Sequence, residues 1–228
     1  MKYNLREAEV TYAPPLYQQK TKPIQNRPEL QNTNTEIPPG YARLKRSLDI
    51  ICASTLLLFL SPIMAMVWCG VKISSGGPGL FWSPRIGQDG RTFKMPKFRS
   101  MRKDTRVVSR ESLFESKDAI TPLGYILRKT SLDELPQLIS VLKGDMSFIG
   151  PRPLLPRDAG QVERQKYPSI QKIKPGITGL AQVRGRNNIT PQKKARLDAF
   201  YASRLSLKLD FRILLETVKT VITGKDIM

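Results

Sequence analysis

The chain has 228 residues, and its 38 lysines and arginines against 19 aspartates and glutamates give a formal charge of +19. It contains no histidine and two cysteines, Cys52 and Cys69, which excludes histidine-based nucleophile activation, histidine metal ligands and a cysteine zinc site. Catalysis would therefore depend on carboxylates, Lys, Arg, Tyr or an oxygen-bound metal, and the charge predicts anionic partners such as nucleic acid, lipid or phosphorylated substrates.

Residues 1–40 show no sustained periodicity and contain six prolines. They lack the apolar core of a signal peptide. We interpret them as an extension that is mobile or loosely docked.

An uncharged segment, IICASTLLLFLSPIMAMVWCGV, covers residues 50–71. As a straight helix it would be about 33 Å long, close to the ~30 Å hydrocarbon core of a bilayer. The alternative is a helix buried in the protein core. Ser61-Pro62 lies at the midpoint, where proline frees a backbone carbonyl that needs another partner, and the Ser61 hydroxyl is one candidate.

Basic residues flank this segment on both sides, at Arg43, Lys45 and Arg46 before it and from Lys72 onward after it. Positive flanks tend to stay cytoplasmic, so a helix that bends at Ser61-Pro62 and returns to the same face is favoured over a crossing. The predicted organisation is an extension at 1–40, a re-entrant membrane helix at 41–73 and a cytoplasmic domain at 74–228.

Turn signals at Gly76-Gly77-Pro78-Gly79 and Asp89-Gly90 surround short alternating runs, which predict a hairpin with strands at Phe81-Trp82 and Thr92-Phe93-Lys94. The basic stretch 97–103 is either a solvated face or a strip lying on lipid headgroups. Residues 105–119 are predicted to be a loop or short helix. Helices are expected at about 132–142, ending at Gly144, and at 211–222, where the apolar face is either core or interfacial.

Ser131-Leu132-Asp133-Glu134 has two interpretations. It matches a capping box, in which Ser and Glu satisfy free amides at a helix start. Pro136 argues against a cap at Ser131, because its missing N–H would fall inside the helix. A start nearer Asp133 leaves its carboxylate at the helix mouth.

The second interpretation is phosphoryl transfer without histidine. A carboxylate is able to act as a nucleophile toward phosphorus, and its neighbour is able to hold Mg²⁺, which needs only one or two protein ligands. Arginines would bind the phosphate oxygens. Arg128 precedes the carboxylate pair, and Arg152 lies between two prolines that restrict its backbone. A glycine-containing stretch at 174–187 adds Arg184 and Arg186.

Together these motifs resemble the monotopic phosphoglycosyl transferases, bacterial sugar transferases that act on polyprenyl phosphate. The resemblance runs from about Tyr41 to the C-terminus, in the family's order. Its elements are Lys45-Arg46-Ser47-Leu48-Asp49, the apolar segment with Ser61-Pro62, Lys97-Phe98-Arg99-Ser100-Met101, the stretches 131–137 and 143–153, and the loop 175–187.

The resemblance implies a helix-rich α+β fold, with a re-entrant membrane helix followed by a compact catalytic domain on the cytoplasmic face of the bacterial inner membrane. It implies that Asp133 attacks the β-phosphate of a UDP-sugar, releasing UMP, and that undecaprenyl phosphate then takes the phosphosugar. Glu134 would hold Mg²⁺. The remaining expected contacts are phosphate binding by Arg128, Arg152, Lys97 and Arg99, and nucleotide binding by Thr178, Gln182 and Arg184.

Two other functions compete with this one. A nucleic-acid-binding protein would also be basic, but it would not need the apolar segment and no binding module is visible; we therefore expect no nucleic acid partner. A membrane-anchored scaffold or lipid-binding protein without catalysis predicts that Asp133→Asn leaves all function intact. The sequence names neither the sugar nor the oligomeric state, and leaves a homo-oligomer open.

Overall fold

The computed structural model describes residues 37–102, 119–185 and 189–223. Most of the predicted extension and of the predicted loop at 105–119, together with Lys103 and Arg186, lie outside these ranges. The described chain is a helix-rich α+β fold, as predicted. Its helices are α1 (Pro39–Ser75), α2 (Pro122–Thr130), α3 (Gln137–Lys143), α4 (Ala159–Gln165), α5 (Pro168–Gln171), α6 (Leu180–Gly185), α7 (Pro191–Ser203) and α8 (Leu207–Thr223), and its strands are β1 (Leu80–Ile86), β2 (Thr92–Phe98), β3 (Ser147–Ile149) and β4 (Gly176–Thr178).

Helix α1 contains the whole apolar segment. It begins at Pro39, a position that needs no backbone N–H, and ends at Ser75, before Gly76 in the left-handed conformation. Its most apolar 18-residue window has a mean hydropathy of 2.3, and only 6% of that window is buried. The interpretation as a core helix is therefore wrong. Within the described part of the chain, α1 is the one helix whose length and composition suffice to cross a membrane.

The Ser61-Pro62 step keeps its helical conformation. Because Pro62 has no N–H, the carbonyl of Leu58 one turn earlier loses its helical donor. The Ser61 hydroxyl donates to that carbonyl at 2.8 Å, which confirms the expected compensation. The return of the helix to the same membrane face stays a prediction.

The polar start of α1 binds the rest of the protein directly. The Arg46 guanidinium donates to two carbonyls at the C-terminal end of α3, at 2.6 and 2.7 Å. Asp49, the last residue before the apolar segment, is buried and accepts hydrogen bonds from the Ser147 hydroxyl and the Phe148 amide, both at 3.1 Å. The Lys-Arg-Ser-Leu-Asp motif therefore docks α1 onto α3 and β3.

A second polar cluster joins the same end of α1 to the C-terminal helices. Asp210, at the start of α8, accepts from the Lys45 ammonium at 2.7 Å and from the Tyr41 hydroxyl at 2.9 Å. The hydroxyl of Tyr201 on α7 donates to its other oxygen at 2.7 Å. Since Tyr201 and Asp210 are buried, each needs these partners, and the cluster fixes α1 against α7 and α8.

The predicted hairpin is present. Strands β1 and β2 pair antiparallel, with Phe81 opposite Lys97 and Ser83 opposite Met95. The turn between them places Asp89 and Gly90 at positive φ, as the Asp-Gly signal predicts. Met95 enters one core cluster and Phe98 another. Because side chains alternate along a strand, these two lie on opposite faces of β2, and Lys97 is on the same face as Met95.

A second, parallel pair joins β3 to β4, with Ile149 opposite Thr178. The chains approach so closely here that a Cβ on Gly150 would overlap the backbone at Lys174. This pair leads directly into Pro151 and Arg152, so it sets where the Arg152 loop begins.

The predicted C-terminal helix is α8, and its apolar residues divide between core and surface. Ile213 is buried in a cluster with Tyr201 and Ala202. Phe211 and Leu215, by contrast, are more than half exposed. Most of the apolar face that periodicity reveals is therefore on the surface of the described chain.

Candidate active site

The carboxylate pair lies in a short 3₁₀ turn between two helices. Helix α2 ends at Ser131, which is in the left-handed conformation with φ 57° and whose amide donates back to the Arg128 carbonyl. The turn covers Leu132–Glu134, and α3 follows after Pro136. Ser131 makes no capping bond with its side chain, so the capping-box interpretation is wrong. Its missing N–H makes Pro136 suited to the start of α3 rather than to a helix interior.

Glu134 is held by two cations. Its Oε1 accepts from Lys97 Nζ at 2.7 Å and from Arg152 Nη2 at 3.1 Å. Burial alone would raise the pKa of Glu134, but the charges and hydrogen bonds of Lys97 and Arg152 outweigh it and hold that pKa well below its usual range. Glu134 is therefore ionised and orients the side chains of Lys97 and Arg152.

Asp133 is in a different state. It is 8% exposed, and among the described residues none donates a hydrogen bond to its carboxylate. Burial raises its pKa above the usual value, reinforced by the charge of Glu134 and opposed by Lys97, Arg128 and Arg152. A carboxylate without donors keeps its lone pairs available, and raised basicity strengthens it as a nucleophile.

Arg128 is a third cation whose charge acts on Asp133. Its Nε donates to the Ser100 hydroxyl at 2.9 Å, and burial lowers its pKa while Asp133 opposes that shift. Sequence reasoning missed Ser100 as a site residue. It is 7% exposed and directs the guanidinium, although its position after the Lys-Phe-Arg motif was the available signal.

The loop bearing Arg152 is held from behind by a buried ion pair. Arg164 on α4 donates through Nη1 to the Arg152 carbonyl at 2.8 Å. Its Nη2 and Nε contact Asp198 Oδ2 at 2.6 and 3.1 Å, and Asp198 is 1% exposed. Arg152 is thereby fixed at its backbone by Arg164 and at its side chain by Glu134. Nothing in the sequence marks Arg164.

The other predicted residues, Arg99, Thr178, Gln182 and Arg184, form their polar contacts with groups other than the two carboxylates. Arg99 donates to the Pro78 carbonyl and lies over the Phe81 ring, so the structure does not bring it to Asp133 or Glu134. Thr178 shares a hydrogen bond with Thr217 on α8 at 2.8 Å. Gln182 donates to a carbonyl of β4, and Arg184 pairs with Glu216 on α8 at 3.2 Å. Their nucleotide-binding role stays a prediction.

The carboxylates fit a magnesium ion that arrives with phosphate. No group of three His, Cys, Asp or Glu side chains forms a metal cluster in the described ranges. However, Mg²⁺ typically takes one or two protein carboxylates and completes its shell with phosphate oxygens and water. Both cations contact Oε1 of Glu134, which leaves its second oxygen, and those of Asp133, as hard donors of the required kind.

Comparison with known proteins matches this arrangement to one family. The family described as bacterial sugar transferase matches residues 40–224. The undecaprenyl-phosphate galactose phosphotransferase of Salmonella typhimurium is 39% identical over 196 residues, covering 78% of this chain and 40% of that protein. The UDP-glucose:undecaprenyl-phosphate glucose-1-phosphate transferase of Escherichia coli is 39% identical over 184 residues, with 77% and 39% covered.

A third relative is close to this chain in length. The exopolysaccharide production protein ExoY of Rhizobium meliloti is 35% identical over 204 residues, covering 81% of this chain and 88% of that protein. The chain thus spans less than half the length of the Salmonella and Escherichia relatives and most of the length of ExoY.

Proposed function

This chain belongs to the bacterial sugar transferase family, and from that premise we propose that it transfers a sugar phosphate from a UDP-sugar to undecaprenyl phosphate. The observation that carries the proposal is the contrast between two adjacent carboxylates. Glu134 is bound by Lys97 and Arg152, whereas Asp133 is buried, more basic than usual and without a donor among the described residues. Such a contrast separates an orienting carboxylate from a reactive one.

In the first step, a carboxylate oxygen of Asp133 forms a bond to the β-phosphorus of the donor. The bond from that phosphorus to the bridging oxygen breaks, and UMP leaves with the oxygen and the electron pair. Arg128, Lys97 and Arg152 surround Asp133 with positive charge, which stabilises the charge that spreads over the phosphoryl oxygens. The product of this step is a phosphosugar joined to Asp133.

In the second step, a phosphate oxygen of undecaprenyl phosphate bonds to the same phosphorus. The bond between that phosphorus and the Asp133 oxygen breaks, which restores the carboxylate and yields undecaprenyl diphosphate sugar. The exposed apolar surface of α1 supports a membrane location for this step, with the catalytic domain on the cytoplasmic face. Polysaccharide synthesis is the pathway class that the relatives' names support.

Magnesium would be held by Glu134 together with the donor's diphosphate. When bound, it would neutralise phosphate charge in a site that otherwise depends on Lys and Arg. The nucleotide would be bound by Thr178, on β4, and by Gln182 and Arg184, which follow it.

The test is UMP release from a panel of UDP-sugars by protein in nanodiscs, with Mg²⁺ and undecaprenyl phosphate. We expect one donor to release UMP, and Asp133→Asn and EDTA to abolish that release. The matched control is Asp89→Asn, which removes the same charge from an exposed hairpin turn at φ 55°, a conformation that Asn accepts. Mass spectrometry should find the phosphosugar on the wild-type peptide that contains Asp133.

The non-catalytic scaffold makes the opposite prediction. If folded wild-type protein releases no UMP from any donor and forms no covalent adduct, the proposal of a catalytic function is wrong. If Asp133→Asn and wild type release UMP equally, the nucleophile is assigned to the wrong residue.

A further inference from the structure

Arg85 on β1 is a half-buried cation that the proposed reaction does not yet use. Its Nη1 donates to the Pro153 carbonyl at 3.2 Å. Its Nε is buried and has no hydrogen-bond partner, and no described carboxylate forms an ion pair with it. Buried guanidinium groups are ordinarily paired with an anion, and the described residues provide none for Arg85.

A second guanidinium faces the same place. A narrow cavity of about 10 Å³, with room for one oxygen-sized group, is lined by Arg85 and Arg152, and Gln137, Met95, Pro153 and Gly176 complete its wall. Burial, and then the charge of Arg152, lower the pKa of Arg85 to about 10, against the attraction of Asp158 and Glu134. Two like charges held at one cavity repel each other until an anion lies between them.

The local charge balance points the same way. Glu134 Oε1 already accepts from both Lys97 and Arg152, and neither Glu134 nor Asp158, which attract Arg85 from a distance, forms an ion pair with it. The position of Arg85 follows from the β1–β2 register, which puts it opposite Phe93, and from its bond to the carbonyl next to Arg152. A guanidinium offers several donors in a planar fork, the geometry that suits phosphoryl oxygens.

We infer that the cavity between Arg85 and Arg152 binds a phosphoryl oxygen of the substrate, which makes Arg85 a further phosphate-binding residue. This inference rests on the proposed function for the identity of the substrate. The phosphoryl group comes from the diphosphate of the nucleotide sugar or from the monophosphate of the polyprenyl acceptor, and both present the same oxygens.

The first measurement is binding of inorganic pyrophosphate to the full chain in nanodiscs of uncharged lipid. We expect Arg85→Met to raise the dissociation constant roughly tenfold, the scale of one lost charge-assisted contact, and Arg85→Lys to recover part of the loss. The matched control is Arg91→Gln, which removes one exposed charge from the same hairpin and should leave binding unchanged. Equal dissociation constants for Arg85→Met and Arg91→Gln overturn the inference.

Thermal unfolding without ligand separates binding from a structural role. Because Arg85→Met removes a half-buried charge that lacks an ion partner, we expect its melting temperature to be no lower than that of wild type. A structural arginine would show the reverse, with a lower melting temperature and unchanged pyrophosphate binding.

Two kinetic arms then identify the source of the phosphate. A raised KM for the UDP-sugar in the acceptor-free half-reaction assigns the cavity to the donor. A defect confined to discharge of the preformed phosphosugar by undecaprenyl phosphate assigns it to the acceptor. If wild type makes no UMP at all, the proposed function fails, and the pyrophosphate comparison still decides whether the Arg85 site exists.

Discussion

Removing the Asp198 carboxylate is expected to destabilise the protein and to slow catalysis by two separable routes. In Asp198→Ala, Arg164 loses contacts of 2.6 and 3.1 Å and is left with its side chain only 12% exposed. Breaking a buried pair by deleting one partner costs about 3–5 kcal/mol. For a chain of this size that lowers the melting temperature by roughly 6–20 °C.

Replacing both partners should restore the fold without restoring the chemistry. Burial raises the pKa of Asp198 even beside Arg164, which shows that desolvation outweighs the attraction within the pair. The free energy of unfolding of the double variant Asp198→Leu with Arg164→Met should therefore lie within about 1 kcal/mol of the wild-type value. It still lacks the donor to the Arg152 carbonyl, so UMP release should stay well below the wild-type rate.

The assay measures thermal unfolding and UMP release for wild type, for Asp198→Ala, for Arg164→Met and for the double variant. Recovery of both stability and turnover in the double variant would show that the pair does not position Arg152. A melting temperature of Asp198→Ala within 2 °C of wild type would refute the magnitude taken from burial and geometry.

The pKa of Glu134 is lowered in the folded protein, so its carboxylate contributes stability that is present above the unfolded pKa of 4.5 and is lost as pH falls through the folded pKa. The difference in melting temperature between wild type and Glu134→Gln should therefore shrink between pH 7 and pH 3. A difference that stays constant in thermal unfolding would contradict this. Gly124→Ala would place a Cβ against the Ser100 backbone and should cost roughly 1–3 kcal/mol. Because Ser100 orients Arg128, turnover measured below the melting temperature should fall as well, and normal turnover would disprove that link. Arg46→Ala removes two charge-assisted bonds to α3 carbonyls and should destabilise by roughly 1.5–3 kcal/mol, whereas an unchanged denaturation midpoint would show that the apolar contacts alone dock α1.

Local patterns predicted α1, the β1–β2 hairpin, a helix in the place of α3 and α8, but not α2, α4 or the β3–β4 pair. The hairpin follows from its Asp-Gly turn and alternating strands, and α8 follows from helical spacing, because both signals depend on residues close in the chain. The Ser61 hydroxyl was likewise identifiable, since the carbonyl that Pro62 frees is fixed by helix geometry. The capping box failed because Ser131 adopts a left-handed conformation that ends α2, and a four-residue pattern does not reveal which helix a residue terminates.

The supporting residues were beyond sequence reasoning for a different reason. Arg164 and Arg85 act through guanidinium groups at the end of long side chains, and their partners are 12 and 68 positions away in the sequence. The parallel β3–β4 pair has three residues in each strand, too few for a periodic signal. The sequence predicted Asp133 and Glu134 as a pair but not their opposite pKa shifts, because these depend on which carboxylate Lys97 and Arg152 contact.

The way α1 is docked also determines how the catalytic domain is mounted on its apolar helix. Tyr41, Lys45, Arg46 and Asp49 bind that domain, and Ile50 begins the apolar segment with no break in the helix. A hinge is therefore absent between the described domain and the segment proposed to lie in lipid. With α1 in lipid as proposed, the helix would hold Asp133 at a fixed height and orientation. One residue inserted after Asp49 would rotate the domain by about 100° relative to the apolar segment and shift it by about 1.5 Å along the helix axis. In the proposed function, the lipid-borne acceptor would therefore have to move to Asp133, because the helix between Asp49 and Ile50 is continuous and provides no flexible joint.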